Sequence, residues 1–200
     1  MANTTVDEGQ ITINGQSVNN IQANSVTVRH ASARDVRADS VLISQAGAES
    51  VQAQSVEIRQ GGTQTVRADS LTVRQGGVLQ AKTQNFSLSQ GGVVMVDTQE
   101  ASLNTASAGV VLSSGNVTLD QSNSKVLVAR GEVTMDQSNT GVLLARDVKT
   151  GDNSGVLLLI AGRVDGNVKA VFGPTAGAAF GAAFAVVFSL ILWARHRFFS

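Results

Sequence analysis

An all-β triangular parallel β-helix, a solenoid of 15- to 16-residue rungs followed by one C-terminal transmembrane α-helix, is the fold class this sequence predicts. Three observations carry that reading. Residues 25–99 fall into five copies of one unit, SVTVRHASARDVRAD, SVLISQAGAESVQAQ, SVEIRQGGTQTVRAD, SLTVRQGGVLQAKTQ and NFSLSQGGVVMVDTQ. A fixed short period is the mark of a solenoid. Inside each unit runs a beat of five, with two apolar or small residues separated by one polar residue. Finally, residues 175–194 carry no charge at all.

The beat of five sets the cross-section. From Ile11 the inward candidates run Ile11 and Ile13, Gln16 and Val18, Ile21 and Ala23, Val26 and Val28, Ala31 and Ala33, Val36 and Ala38, and continue to Val78, almost all of them apolar or small. Alternation within each pair is that of a strand buried on one face. Two inward residues are too few for an ordinary strand, but three such segments close a triangle whose copies pair above and below, about 4.8 Å apart. A helix fails because a spacing of 2 then 3 never produces an i, i+3, i+4, i+7 stripe.

Taken in order, residues 1–9 read as a flexible N-terminal arm or a loose cap without the apolar run of a signal peptide, and with no capping helix the first rung is left with an open edge. Residues 10–170 form the β-helix. Like letters one period apart stack outside it: His30, Gln45, Gln60, Gln75 and Gln90 make one corner column, suited to an amide ladder. Ser25, Ser40, Ser55, Ser70 and Asn85 make another. From Gly115 the period is 16, as GNVTLDQSNSKVLVAR is followed by GEVTMDQSNTGVLLAR, and each rung gains a corner residue. On the lower third face the outward positions read as Val110, Leu112, Leu127, Leu143, Leu157 and Leu159, where the upper rungs have Arg37, Gln52 and Arg67. Such an exposed stripe marks an interface. Self-association, a single wider core or cover by a folded-back loop, and contact with the bilayer or another protein all fit it.

Residues 171–200 are assigned to the transmembrane helix and a short basic tail. Twenty uncharged residues match the hydrocarbon thickness; Pro174 suits the first turn, and Trp193 and Arg195 suit the interface. Gly173, Gly177 and Gly181 recur at four and give one side of this helix a smooth face for helix packing in lipid. Stripe and smooth face together predict a homo-oligomer, with other membrane-complex subunits as alternative partners. Lacking an export signal, the β-helix is expected on the cytoplasmic side.

Composition narrows the chemistry. Net charge is zero, which gives no electrostatic reason to expect nucleic acid, and there is no Cys for thiolate metal sites or disulfides. Two His and no nucleophile beside a recognisable base argue against an enzyme. No cofactor is expected. Asp120, Asp136 and Asp152 recur at 16 and offer a cation ladder, although Asp, Asn and Ser are equally the residues of an exposed turn. Arg29, Arg59 and Arg74 form a basic strip, but Asp35, Asp39 and Glu57 interleave with it and favour a self-neutralising surface.

At VRADSVLISQAG, VQAQSVEIRQGG and VRADSLTVRQGG the sequence resembles the bactofilins, polymer-forming bacterial cytoskeletal proteins whose rungs read V-x-A-x-x-V-x-I-x-x-G. The likeness spans residues 10–99. The rungs here are shorter, and that family lacks the C-terminal span. The resemblance implies end-to-end or lateral assembly into a membrane-associated scaffold and transfers no catalytic residue. The function expected is therefore a non-enzymatic, membrane-anchored scaffold, with a tethered binding or adhesion module or an accessory subunit as alternatives.

Overall fold

A computed structural model of the chain describes residues 3–7, 9–15, 17–166 and 169–172, with side chains placed over 9–15 and 17–166. The strands are β1 (Asn3–Asp7), β2 (Gln10–Asn14), β3 (Val18–Gln22), β4 (Ser25–Arg29), β5 (Ser32–Arg37), β6 (Ser40–Val73), β7 (Gly76–Lys82) and β8 (Asn85–Thr98). They continue as β9 (Glu100–Ser113), β10 (Val117–Asp120), β11 (Asn123–Asp136), β12 (Asn139–Thr150), β13 (Gly155–Gly166) and β14 (Lys169–Phe172). Long strands such as β6 run around corners without a break in their ladders. Every pairing from β2 onward is parallel, and the coil makes about 10 turns.

The repeat sets the register. Val26 lies over Val41 and Val28 over Ile43, then Leu71 over Phe86, Phe86 over Ala101, Ala101 over Val117 and Val117 over Val133. The period is 15 as far as the Thr98–Ser113 pair and 16 from the Ala101–Val117 pair to the Ala129–Ala145 pair, so an extra residue enters at the corner between Ser113 and Val117; the register then shifts and the Glu132–Asp147 pair is again 15 apart. Corners satisfy their own backbone. Asn24 and Ser25 N–H both donate to the Gly9 carbonyl, Asp39 and Ser40 N–H to Asn24, and Gln54 and Ser55 N–H to Asp39, all between 2.9 and 3.1 Å. Another corner holds His30, Gln45, Gln90, Thr105, Gln121, Gln137 and Asn153 with φ between 46° and 61°. Left-handed backbone is uncommon for residues other than Gly, and its recurrence at this corner in all turns from His30 to Asn153 except those of Gln60 and Gln75 shows that stacking imposes it.

The core is a narrow column of Val, Ile, Leu and Ala inside the coil. Val26, Ile43, Ile58, Leu71, Leu103 and Leu119 are all fully buried. At each inward position a side chain touches its copies above and below, so no turn has a core of its own. Gly61, Gly76 and Gly91 are dictated by this stacking, since a Cβ at each would overlap the carbonyl oxygen of Ala46, Gly61 and Gly76 respectively.

Two features differ from the sequence reading. The expected flexible arm contains β1, which pairs antiparallel with β2, Val6 opposite Ile11 and Asp7 opposite Gln10, and covers the first-face edge that the sequence reading leaves open. The tight turn is made at Gly9, whose φ of 82° only Gly adopts without strain. At the other end β14 reaches Phe172, two residues past the expected boundary at 170, with Leu158 opposite Phe172. The expected transmembrane residues 175–194, with Gly173, Gly177 and Gly181, lie outside the described residues. Among the described residues no helix is long and apolar enough to cross a membrane.

Candidate functional site

The third face is where the outside of the coil changes character. Its strands place two residues per turn outward, either side of one inward residue. The register makes them two columns. The first runs Asp35, Ser50, then Thr65, Gln80, Met95, Val110, Val126, Val142 and Leu158. The second runs Arg37, Gln52, then Arg67, Lys82, Asp97, Leu112, Val128, Leu144 and Ile160. The upper four turns are polar in both columns, and the last four are aliphatic in both.

The inward column between them corrects the expected interface. Leu127 and Leu143 are 0% exposed and Leu159 4% exposed, so these three belong to the core and not to an interface. They lie under Val111 and Val96 in register. The residues beside them face out: Leu144 is 41% and Ile160 53% exposed, and Val126, Val128, Val142 and Leu158 are half-buried. Val110 and Leu112 do face outward as expected, both half-buried, and Leu157 is exposed at the preceding corner. An aliphatic stripe thus exists on this face, in phase with its sequence reading at Val110 and Leu112 and one residue out of phase at Leu127, Leu143 and Leu159.

The phase is hidden by polar residues in the core. Continuing the beat of five from Val117 and Leu119 would put Ser122 and Ser124 inside, which a polarity rule rejects. The structure accepts them because their hydroxyls are paired. Ser122 Oγ donates to the Asp120 carbonyl at 2.7 Å and accepts from Ala106 N–H at 3.1 Å; Ser138 Oγ repeats this with the Asp136 carbonyl at 2.6 Å and Ser122 N–H at 3.0 Å. Ser124 and Thr140 hydroxyls bond each other at 2.9 Å. A buried hydroxyl with both functions satisfied costs little.

The other candidate residues form ladders and ion pairs. Gln45, Gln60, Gln75 and Gln90 make the expected amide ladder, each Nε2 donating to the next Oε1 at 3.0 Å. In the basic strip, Arg59 and Arg74 converge on Glu57 at 3.0 and 3.2 Å, as interleaved acids would predict. Asp120 stacks on Asp136 and accepts from Asn104 Nδ2 at 3.2 Å, while Asp152 is exposed in a turn. Among the described residues no three His, Asp or Glu side chains converge to hold a metal ion. On the lower first face, Lys149 Nζ lies 3.0 Å from Glu132 Oε2; this hydrogen-bonded carboxylate holds the Lys149 ammonium above its usual pKa of 10.5.

A second concave surface runs along the second face. Its floor is a column of glycines, Gly47, Gly62, Gly77 and Gly92, with Leu79 and Val94 exposed along one wall and an open volume of about 890 Å³. Unlike the glycines beside them, Gly47, Gly77 and Gly92 would meet only ordinary contacts at a Cβ, 3.6 Å or more from the next carbonyl.

The chain matches no known family model, no curated protein and no solved structure. Its function is therefore argued from the third face.

Proposed function

We propose that this chain is a non-enzymatic structural protein, a β-solenoid rod anchored in a bilayer by residues 175–194 and associating with copies of itself through the lower third face. The observation that carries this reading is the pair of aliphatic columns from Val110 and Leu112 to Leu158 and Ile160. Branched aliphatic side chains on both sides of a strand are the pattern of a strand covered on both sides. Their position adds to the argument. The stripe ends opposite Phe172, two residues before Pro174, so in the sequence it immediately precedes the uncharged segment. A rod standing on such a stem turns its flank toward neighbours in the plane of the membrane and away from lipid.

Lateral contact, and not end-to-end stacking, is the mode of assembly favoured by β1. Its antiparallel course occupies the first-face edge that a parallel strand of another copy would need. Of the two assembly modes implied by the bactofilin resemblance, this supports the lateral one. The rod is expected on the cytoplasmic side.

Two measurements test the reading. Alkaline carbonate should leave the full-length protein in the membrane pellet; release into the supernatant would remove the anchor. Mild detergent extraction followed by native mass measurement should give an oligomer that Val128→Asp combined with Leu144→Asp converts to monomer without loss of folding. A monomeric parent protein that becomes an assembly only with a different polypeptide would make it an accessory subunit instead.

A further inference from the structure

We infer that the partner of the lower third face is the same face of a second copy, with the two rods parallel and in register about a two-fold axis along their length, and that association closes at two. This rests on the self-associating reading above and specifies its geometry.

Closure follows from where the aliphatic residues are. The outward columns of the first face carry Ser70, Thr72 and Arg74 in one turn and Glu100, Ser102 and Asn104 two turns below. Those of the second face carry glycine, Ser107, Asn123 and Asn139 in one column and Gln64, Leu79, Val94, Gly109 and Lys125 in the other, where Leu79 and Val94 are exposed apolar residues beside a polar column. Among the described residues only one of the three faces is aliphatic in both columns. A single self-complementary patch is used up when two copies meet across a two-fold axis, whereas a chain or lattice needs a second, different patch.

Register follows from the two columns. A two-fold axis parallel to the rods sets the first column of one copy against the second column of the other. Val126 then meets the partner's Val128, and Val142 meets the partner's Leu144. The upper turns obey the same rule without conflict. Asp35 meets the partner's Arg37, Thr65 meets the partner's Arg67, and no pair of like charges is brought face to face over these turns. Complementary charge of this kind fixes register more than it adds affinity.

Area decides between this arrangement and its main rival, in which the rods run antiparallel and overlap only at the stripe. Four turns about 4.8 Å apart, with a face about 16 Å wide, present a footprint of about 300 Å². A stable, specific interface needs about 800 Å² per partner. Nine turns aligned in parallel present about 700 Å², close to that requirement, and an antiparallel overlap cannot reach it.

Absence of native cysteine makes the test direct, since any introduced thiol is the only one in its chain. Full-length chains carrying Val126→Cys and Val128→Cys are co-expressed, extracted in mild detergent and oxidised. The expected result is a shift from the 20.7 kDa chain to twice that mass, through a mixed 126–128 disulfide, with no larger species. Co-expressed Leu112→Cys and Ile160→Cys chains should give no mixed disulfide. A 112–160 disulfide would show an antiparallel pair, and crosslinked species beyond two chains would show an open array; either overturns the inference while leaving self-association through the stripe intact. A chain that is monomeric by native mass, with its stripe covered by residues 175–194 or by lipid, overturns both. So does an oligomer that crosslinks through Thr72→Cys on the first face and at no stripe position.

Discussion

The upper and lower turns of the third face share one backbone and differ in almost every outward residue. Asp35, Arg37, Arg67 and Lys82 occupy the columns above, and Val126, Val128, Val142 and Leu144 occupy the same columns below. Inward, Val36, Val66, Leu127 and Leu143 are equally buried throughout. The coil therefore constrains only what points inside, and the outside is free to be written by function. In a solenoid, departure from the local outward pattern is more informative than the repeat itself.

The most forceful test of that comparison sets neighbours on one strand against each other. Leu143→Asp places a carboxylate in a dry column and should cost at least about 3 kcal/mol, read as a collapse of the thermal transition or loss of folded protein. Leu144→Asp, one residue along, should leave the melting temperature within a few degrees and change only association. Equal damage from both would mean that the wall of the coil does not separate Leu143 from Leu144.

Next in size is the glycine pair of the second face. Gly76→Ala drives a methyl into the Gly61 carbonyl oxygen and should destabilise by about 2–3 kcal/mol, because neither backbone can move without disturbing the turns around it. Gly92→Ala, whose methyl would lie 3.8 Å from the Ser107 carbonyl, should be nearly neutral in the same denaturation experiment.

Buried hydroxyls give effects of opposite sign according to whether they are paired. Ser138→Ala leaves the Ser122 N–H without an acceptor and should cost about 1–2 kcal/mol. Thr63 in the upper half and Ser154 in the lower are also buried, and among the described residues their hydroxyls have no partner. Thr63→Val should therefore stabilise, by about 1 kcal/mol, since it removes an unpaired polar group at constant volume. Chemical denaturation of both variants measures the difference in sign.

The smallest effect expected is at the exposed Lys149–Glu132 pair. A lysine whose folded pKa is raised contributes stability fully below its ordinary value of 10.5, and that contribution is lost as pH rises through the higher folded value. Lys149→Gln should thus leave melting curves almost unchanged at neutral pH and remove a slight stability loss above pH 10.5. Gln75→Ala belongs to the same class, breaking two exposed amide bonds whose contribution is partly replaced by water.

Much of this architecture is legible in the letters because the solenoid repeats its own constraint. Each inward slot expected from Ile11 to Val78, among the described residues, is buried or half-buried, since neighbouring turns demand the same residue classes at the same places. The amide ladder and the change of period at Gly115 are legible for the same reason. What misleads is polarity taken alone. Ser122 and Ser124 suggest an exposed segment, and their pairing with the turns beside them appears only when those turns are stacked. Leu127, Leu143 and Leu159 consequently read as outward residues although the wall of the coil encloses them. β1 is illegible for a different reason: a single antiparallel pairing leaves no repeat to detect.

The Gln60 to Gln75 to Gln90 succession makes each fifteen-residue turn interchangeable with the next, with the same bonds formed at either joint. Excising or duplicating one such turn alters neither boundary and changes only reach, by about 4.8 Å per step. The molecule is in that sense a graduated ruler, whose height above its base is set by counting coils.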